Sequence, residues 1–323
     1  FLKKIVMEYE LDTLQLGKVT CPICGHQASP TKMFVKNSFG ASRNFFFCNN
    51  CHHLFLTPLP LEGELLSFYS NSSVESEANY YKSYLNGRLK RLSKLLKNIL
   101  NSKSIVLELG PGGVGILPLL PKGATYIAIE TSSQNRSSLK EIAVRRSINI
   151  HLLENIDQLS KSVQKIHYDI VIAVSVIEHV VNPKLFIEKA IYRLKAGGLV
   201  VIGVPYQNIE VPFLINGKLN FCQTHLHSFS EQSLTELVKS LNLKVLNFDF
   251  LDKLYAKYKS EIRGFYLSLE DKMHSENYSA LFSKKFILRK IIKFFLRYIV
   301  LEYAYERANK ADYDMIIIAK KNE

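Results

Sequence analysis

Between residues 104 and 204 the chain alternates short apolar runs with longer polar stretches. The runs read SIVLEL at 104–109, TYIAIE at 125–130, INIHLL at 148–153, DIVIAV at 169–174 and GLVVIGV at 198–204. Each is short, rich in β-branched residues and apolar nearly throughout, which predicts a strand buried on both faces. The stretches between them are polar and helix-compatible. Strands alternating with helices predict an α/β, doubly wound fold around a mostly parallel sheet. Two further runs, LKVLNFDF at 243–250 and YDMIIIA at 313–319, predict a sixth and a seventh strand.

The ends of these runs carry the polar chemistry. Right-handed crossovers gather ligands at the carboxyl ends of parallel strands. The first run ends in Glu108 and breaks at once into glycines 110, 112, 113 and 115. Glycines allow a turn through positive φ and let a ligand lie against bare main chain. The second run ends in Glu130, 22 positions after Glu108, where an acid can accept hydrogen bonds from both hydroxyls of a ribose. Asn155 follows the third run and Ser175 the fourth. The glycine spacing is not the G-x-G-x-x-G of dinucleotide sites.

An acid ahead of Gly110-x-Gly112 resembles the first motif of class I S-adenosylmethionine-dependent methyltransferases. YDIVIAVSVIEHVVNP and LKAGGLVVIGVP are similar to the fourth and fifth strand regions of the same family. The resemblance runs over roughly residues 100–250 and returns at the C-terminus. It implies a seven-stranded Rossmann-like sheet whose last strand is antiparallel and pairs with the sixth at one edge. It also implies an S-adenosylmethionine site. Glu108 and the Gly110, Pro111, Gly112 turn would approach the methionine end of the cofactor, and Glu130 with Thr131 the ribose. Asn155 would lie near the adenine, where the family more often has Asp, and Ser175 would complete the set. The family's third glycine falls on Val114, between Gly113 and Gly115.

Four of the five cysteines form two C-x-x-C pairs, Cys21/Cys24 and Cys48/Cys51, separated by 23 residues. Two such knuckles at this distance read as a closed, structural four-thiolate zinc site. Two disulfides are the competing reading. His26, His52 and His53 are then surface or outer imidazoles, with replacement of a cysteine ligand as the other reading for each. The text that follows, HHLFLTPLPLEGELLSFYSN, resembles the ribbons that precede bacterial sugar and glycan-pathway methyltransferases, sugar C-methyltransferases above all. The tyrosines at 69, 80, 81 and 84 read mainly as packing residues, with a place beside the substrate cleft as the other reading. Cys222 reads as a small buried apolar residue.

Methyl transfer needs a base only when the acceptor must lose a proton. Three residues qualify: Glu178 and His179 after the fourth strand, and His225 in THLHSFS after the fifth. His225 is the first choice. Its H-x-x-x-F-S context resembles the family loop that faces the acceptor. His227 lies in the same segment and reads at least as readily as a surface residue, and Ser228 or Ser230 reads as the cap of the helix that follows. Glu178-His179 also resembles metal-dependent methyltransferases of RNA ends. Those carry a second acid where this chain has Ser175, so no catalytic metal is expected.

Domain organisation follows: a zinc ribbon at 1–60, a helical connector at 61–100, the Rossmann-like core at 101–250, a basic helical insertion at 251–311 and the last strand at 312–323. A net charge of +13, from 42 basic and 29 acidic residues, points to an acidic partner. Residues 284–301 form a basic amphipathic pattern that suits either packing on the core or contact with an anionic membrane. No membrane span or signal peptide is expected, which makes the expected location cytoplasmic, with or without peripheral membrane contact. The expected substrate is a sugar, glycan precursor or related small molecule. An RNA substrate and a non-catalytic cofactor-binding role are the alternatives, the former weakened by the absence of a basic and aromatic recognition motif.

Overall fold

The computed structural model describes residues 17–38, 41–71, 89–205, 214–215, 218–219, 225–250 and 314–322. An N-terminal module comprises strands β1 (Val19–Thr20), β2 (Gln27–Ser38), β3 (Ala41–Cys48) and β4 (His53–Thr57), followed by helix α1 (Glu62–Asn71). A helical stretch α2 over 89–96 leads into the main sheet. There follow β5 (Ile105–Leu109), β6 (Thr125–Ile129), α3 (Ser133–Arg146), β7 (Asn149–Leu153), α4 (Leu159–Ser162), β8 (Tyr168–Val174), α5 (Pro183–Ile191) and β9 (Leu194–Pro205). A small hairpin, β10 (Leu214–Ile215) and β11 (Lys218–Leu219), precedes β12 (His227–Ser228), α6 (Glu231–Ser240), β13 (Leu243–Phe250) and β14 (Asp314–Lys321).

The main sheet has seven strands in the order β13-β14-β9-β8-β5-β6-β7. Six strands run in one direction; β14 alone is reversed, antiparallel to both β9 and β13. This is the Rossmann-like sheet expected from the runs. The fifth strand starts earlier than its apolar stretch, because Leu194 already pairs with Tyr168 before a register shift across the Ala196–Gly198 segment.

Alternation along the strands separates two cores. Val106, Tyr126, Ala128, Ile170 and Ile172 face Leu92 and Leu96 of α2 and Leu139 and Ala143 of α3. Leu107, Leu109, Ile127, Val171 and Ala173 face the other way, in a cluster that also contains Ile23, Phe46 and Phe55 of the N-terminal module. The module therefore shares a core with the sheet. It also shares a strand: β12, from the stretch after β9, pairs antiparallel with β4, giving the order β1-β2-β3-β4-β12. That pairing crosses the boundary drawn from the sequence between ribbon and core. The insertion at 251–311, the basic pattern at 284–301, Cys222 and the tyrosines at 80, 81 and 84 lie outside the described residues.

Candidate active site

The glycine turn is built from below. Gly110, Gly112 and Gly115 all have positive φ, at 58°, 65° and 53°. At Gly115 a Cβ would stand 2.5 Å from the Tyr126 hydroxyl and 2.6 Å from Glu108 Oε2, so only a glycine fits above that pair. Glu108 is fully buried. Its Oε2 accepts hydrogen bonds from the Ile116 amide at 2.8 Å and the Tyr126 hydroxyl at 2.5 Å. A carboxylate that takes donors from the far end of the turn fixes the turn's shape, and charged acceptors make the stronger bonds. Tyr126 in this role was not foreseen: in TYIAIE it reads as one more strand aromatic.

Glu130 braces the other side. Its Oε2 accepts from the Gly112 amide and its Oε1 from the Ser132 amide, both at 2.9 Å. Ser132 caps α3, and Arg136 donates to the main-chain oxygens of Glu130 and Thr131. Pro111 is buried within the turn. Asn155 follows β7 at the same sheet edge, and its backbone oxygen accepts from Gln158. Ser175 leaves β8 with φ 56° and donates its amide to Gly203. A Cβ on Gly110 would come within 2.6 Å of Val176, so the first turn and the end of β8 are in direct contact. The residues nominated from the sequence thus lie along one edge of the sheet, at the carboxyl ends of β5, β6, β7 and β8.

Beside that edge the three expected proton acceptors meet. One ligating atom from each of Glu178, His179 and His225 lies within 4.8 Å of the other two. The rings of His179 and His225 stack edge to face at 4.6 Å between centroids, and His179 Nε2 stands 3.8 Å from Glu178 Oε1. Glu178 is buried, while the two imidazoles are half-buried. Such a set can take a proton or hold a cation, although no catalytic metal was expected from Ser175. Tyr69 joins it: its hydroxyl lies 2.9 Å from His179 Nδ1, so this tyrosine does more than the packing expected of it.

His227 corrects its expectation. It is 1% exposed, not a surface residue. Its Nε2 lies 3.0 Å from the Val180 carbonyl and its Nδ1 lies 3.1 Å from Nε2 of His53, which is itself fully buried. A carbonyl only accepts, so His227 carries its proton on Nε2 and receives one from His53 at Nδ1. Burial pushes His227 down to about 4 and, with the neighbouring His227, holds His53 well below the ordinary imidazole value. Both rings are therefore neutral. His53 packs among Phe55, Phe229 and His227 rather than beside the cysteines. His26 and His52 are exposed, as expected.

The four cysteine sulfurs converge within 4.8 Å. Cys21 and Cys51 stand 3.7 Å apart, Cys24 and Cys48 3.5 Å. Sulfurs around one ion at about 2.3 Å are separated by about 3.8 Å in a tetrahedron, whereas a disulfide needs about 2.05 Å. The donor set fits a four-thiolate metal site. A hydrogen bond from the Cys51 thiol holds Cys21 down to about 5, and that same bond and burial push Cys51 up. A separate cavity of about 470 Å3, lined by Lys103, Ser104, Asp169 and Lys195, opens at the amino ends of the strands, away from the glycine turn.

A family profile described as a methyltransferase domain matches residues 80–247, more than half of the chain. The chain belongs to the methyltransferase domain family. Relatives include a ubiquinone biosynthesis O-methyltransferase of Rickettsia akari, 33% identical over 103 residues, which are 31% of this chain and 40% of the relative. A protein of the same name from Chelativorans is 32% identical over 100 residues, covering 30% of this chain and 38% of the relative. The chain thus spans about two fifths of the length of these relatives. Among solved structures, the 1,6-didemethyltoxoflavin-N1-methyltransferase of Burkholderia thailandensis aligns at TM-score 0.46 and 13% identity, over 87% of this chain and 96% of that one. The methyltransferase domain and its donor, S-adenosylmethionine, follow from the family. No helix among the described residues is long and apolar enough to cross a membrane.

Proposed function

We propose that this chain transfers the methyl group of S-adenosylmethionine to a hydroxyl-bearing sugar, glycan precursor or related small molecule. The observation that carries this reading is the meeting of Glu178, His179 and His225 beside the edge that holds the glycine turn. A sulfonium supplies an activated methyl, so the protein's task is alignment and, for a hydroxyl acceptor, removal of its proton. His225 takes that proton. Glu178 and His179 orient it and stabilise the charge it gains, and the Tyr69 hydroxyl fixes the His179 ring. The name of the curated relatives, an O-methyltransferase, agrees with an oxygen acceptor. Glu130 is placed to take the ribose hydroxyls, Glu108 to hold the turn against the methionine end, and Asn155 to meet the adenine.

The four cysteines hold a structural zinc, whose contribution is to fold a module too small for its own core. The ribbon ahead of the core favours the sugar and glycan class. The net charge of +13 favours an acidic acceptor, such as a nucleotide-linked sugar, and peripheral contact with an anionic membrane surface. The test is transfer of labelled methyl from S-adenosylmethionine to nucleotide-sugar fractions and to total RNA. Label in the sugar fractions is expected. Label confined to RNA overturns the substrate class, and binding of S-adenosylhomocysteine with no acceptor labelled overturns the catalytic reading.

A further inference from the structure

The segment bearing His225 is fastened on both sides. On one side, the Leu226 amide donates to the Glu178 carbonyl at 2.7 Å, and the His227 ring reaches the carbonyl of Val180, the residue after His179. On the other, the segment belongs to the N-terminal module. Leu226 accepts from the Leu56 amide at 2.9 Å, and His227 and Ser228 pair with Phe55 and Leu54 of β4. His53 donates to His227. The second cysteine knuckle itself takes part: the carbonyl of Cys51 accepts from Ser230 Oγ at 3.1 Å and that of Asn50 from Gln232 Nε2 at 2.6 Å.

Residues 226–232 are thus laid along the very strand and turn that the four thiolates organise. The cofactor turn has different supports: Glu108, Tyr126 and Glu130 all come from the parallel sheet. We propose that the N-terminal module is a positioning element of the active site, with His53 and His227 as its positioning residues, so that metal at Cys21, Cys24, Cys48 and Cys51 sets the placement of His225 against Glu178 and His179 without setting cofactor affinity. The inference rests on the reading of His225 as proton acceptor. It converts a structural metal into a determinant of turnover.

Three measurements on the full chain test it: zinc content, S-adenosylhomocysteine affinity by calorimetry, and amide hydrogen exchange. They are combined with labelled-methyl turnover on the nucleotide-sugar fraction. Removing metal with a chelator is expected to lower turnover at least tenfold and to raise exchange across 225–232. Affinity for S-adenosylhomocysteine stays within twofold and exchange at 105–130 is unchanged. His227→Phe in the zinc-loaded protein reproduces this pattern with zinc retained. His227→Gln, which keeps a donor for the Val180 carbonyl, recovers part of the turnover. Unaltered exchange at 225–232 on metal removal overturns the inference, as does an equal loss of cofactor affinity. His225→Ala separates the two ideas. If it abolishes turnover while metal removal and His227→Phe do not, only the inference fails; if turnover survives His225→Ala, the reading beneath it fails.

Discussion

Replacing Tyr126 by Phe removes one oxygen from the support of the glycine turn and nothing else. Both Tyr126 and Glu108 are fully buried, and the lost bond, at 2.5 Å, is to a carboxylate. A buried hydrogen bond to a charged group contributes about 1.5–3 kcal/mol, and the carboxylate left behind cannot turn to water. An expected loss of about 2 kcal/mol lowers the melting temperature by roughly 4–8 °C for a domain of this size. Tyr168 supplies the control. It is buried to the same degree and donates at the same 2.5 Å, but to the neutral carbonyl of Ala190, remote from the turn. Tyr168→Phe is expected to cost about 1 kcal/mol, roughly half as much. The two also differ in ligand binding. Because Glu108 fixes the Ile116 amide at the end of the turn, Tyr126→Phe should weaken S-adenosylhomocysteine by about threefold to tenfold, on the order of 1 kcal/mol, while Tyr168→Phe leaves it unchanged. Calorimetric melting and titration read both quantities. Equal losses of stability in the two variants, or an unaltered ligand affinity in Tyr126→Phe, refute the assignment of Glu108 and Tyr126 as the floor of the cofactor turn.

Glu130→Gln exchanges a carboxylate that holds the Gly112 and Ser132 amides for a neutral group, and should weaken S-adenosylhomocysteine by about 1–3 kcal/mol; an unchanged titration removes Glu130 from the ribose site. His227 has a folded pKa of about 4, below its unfolded value of about 6.5, so the unfolded chain binds more protons between those limits. Stability is therefore complete above pH 6.5 and falls as the pH drops toward 4, by up to about 3 kcal/mol, with His53 acting in the same direction. Denaturant unfolding from pH 4 to 7 should show this slope and a shallower one in His227→Phe; identical slopes exclude His227 as its source. Cys24→Ser should release zinc and expose the amides of β2 to β4 to exchange, whereas full metal retention takes Cys24 out of the ligand set.

The strands of the core were legible because a doubly covered parallel sheet leaves an unambiguous signature, five apolar runs with polar crossovers. The acids at the strand ends were legible for the same reason, since Glu108 and Glu130 each close an apolar run. Glu178, His179 and His225 could be nominated from their places after the fourth and fifth strands, although 46 positions separate His179 from His225. What stayed hidden were pairings too short to announce themselves. β12 is only two residues long, and its partner β4 lies more than 170 positions earlier, so no local pattern specifies it. Histidine compounds the difficulty. His53 and His227 look polar in the sequence, but each satisfies the other, and their burial is visible only once the two strands are side by side. Tyr69 was undervalued similarly: nothing in LLSFYSN shows that its hydroxyl reaches the loop after β8.

The sheet leaves one opening for change. Phe250, at the end of β13, sits opposite Met315, at the start of β14. The described strands thus leave and re-enter the sheet at neighbouring points, paired in register across adjacent strands. A short linker from Phe250 to Met315 can therefore close this edge without changing the order of the seven strands, which makes the junction a natural place to join new segments.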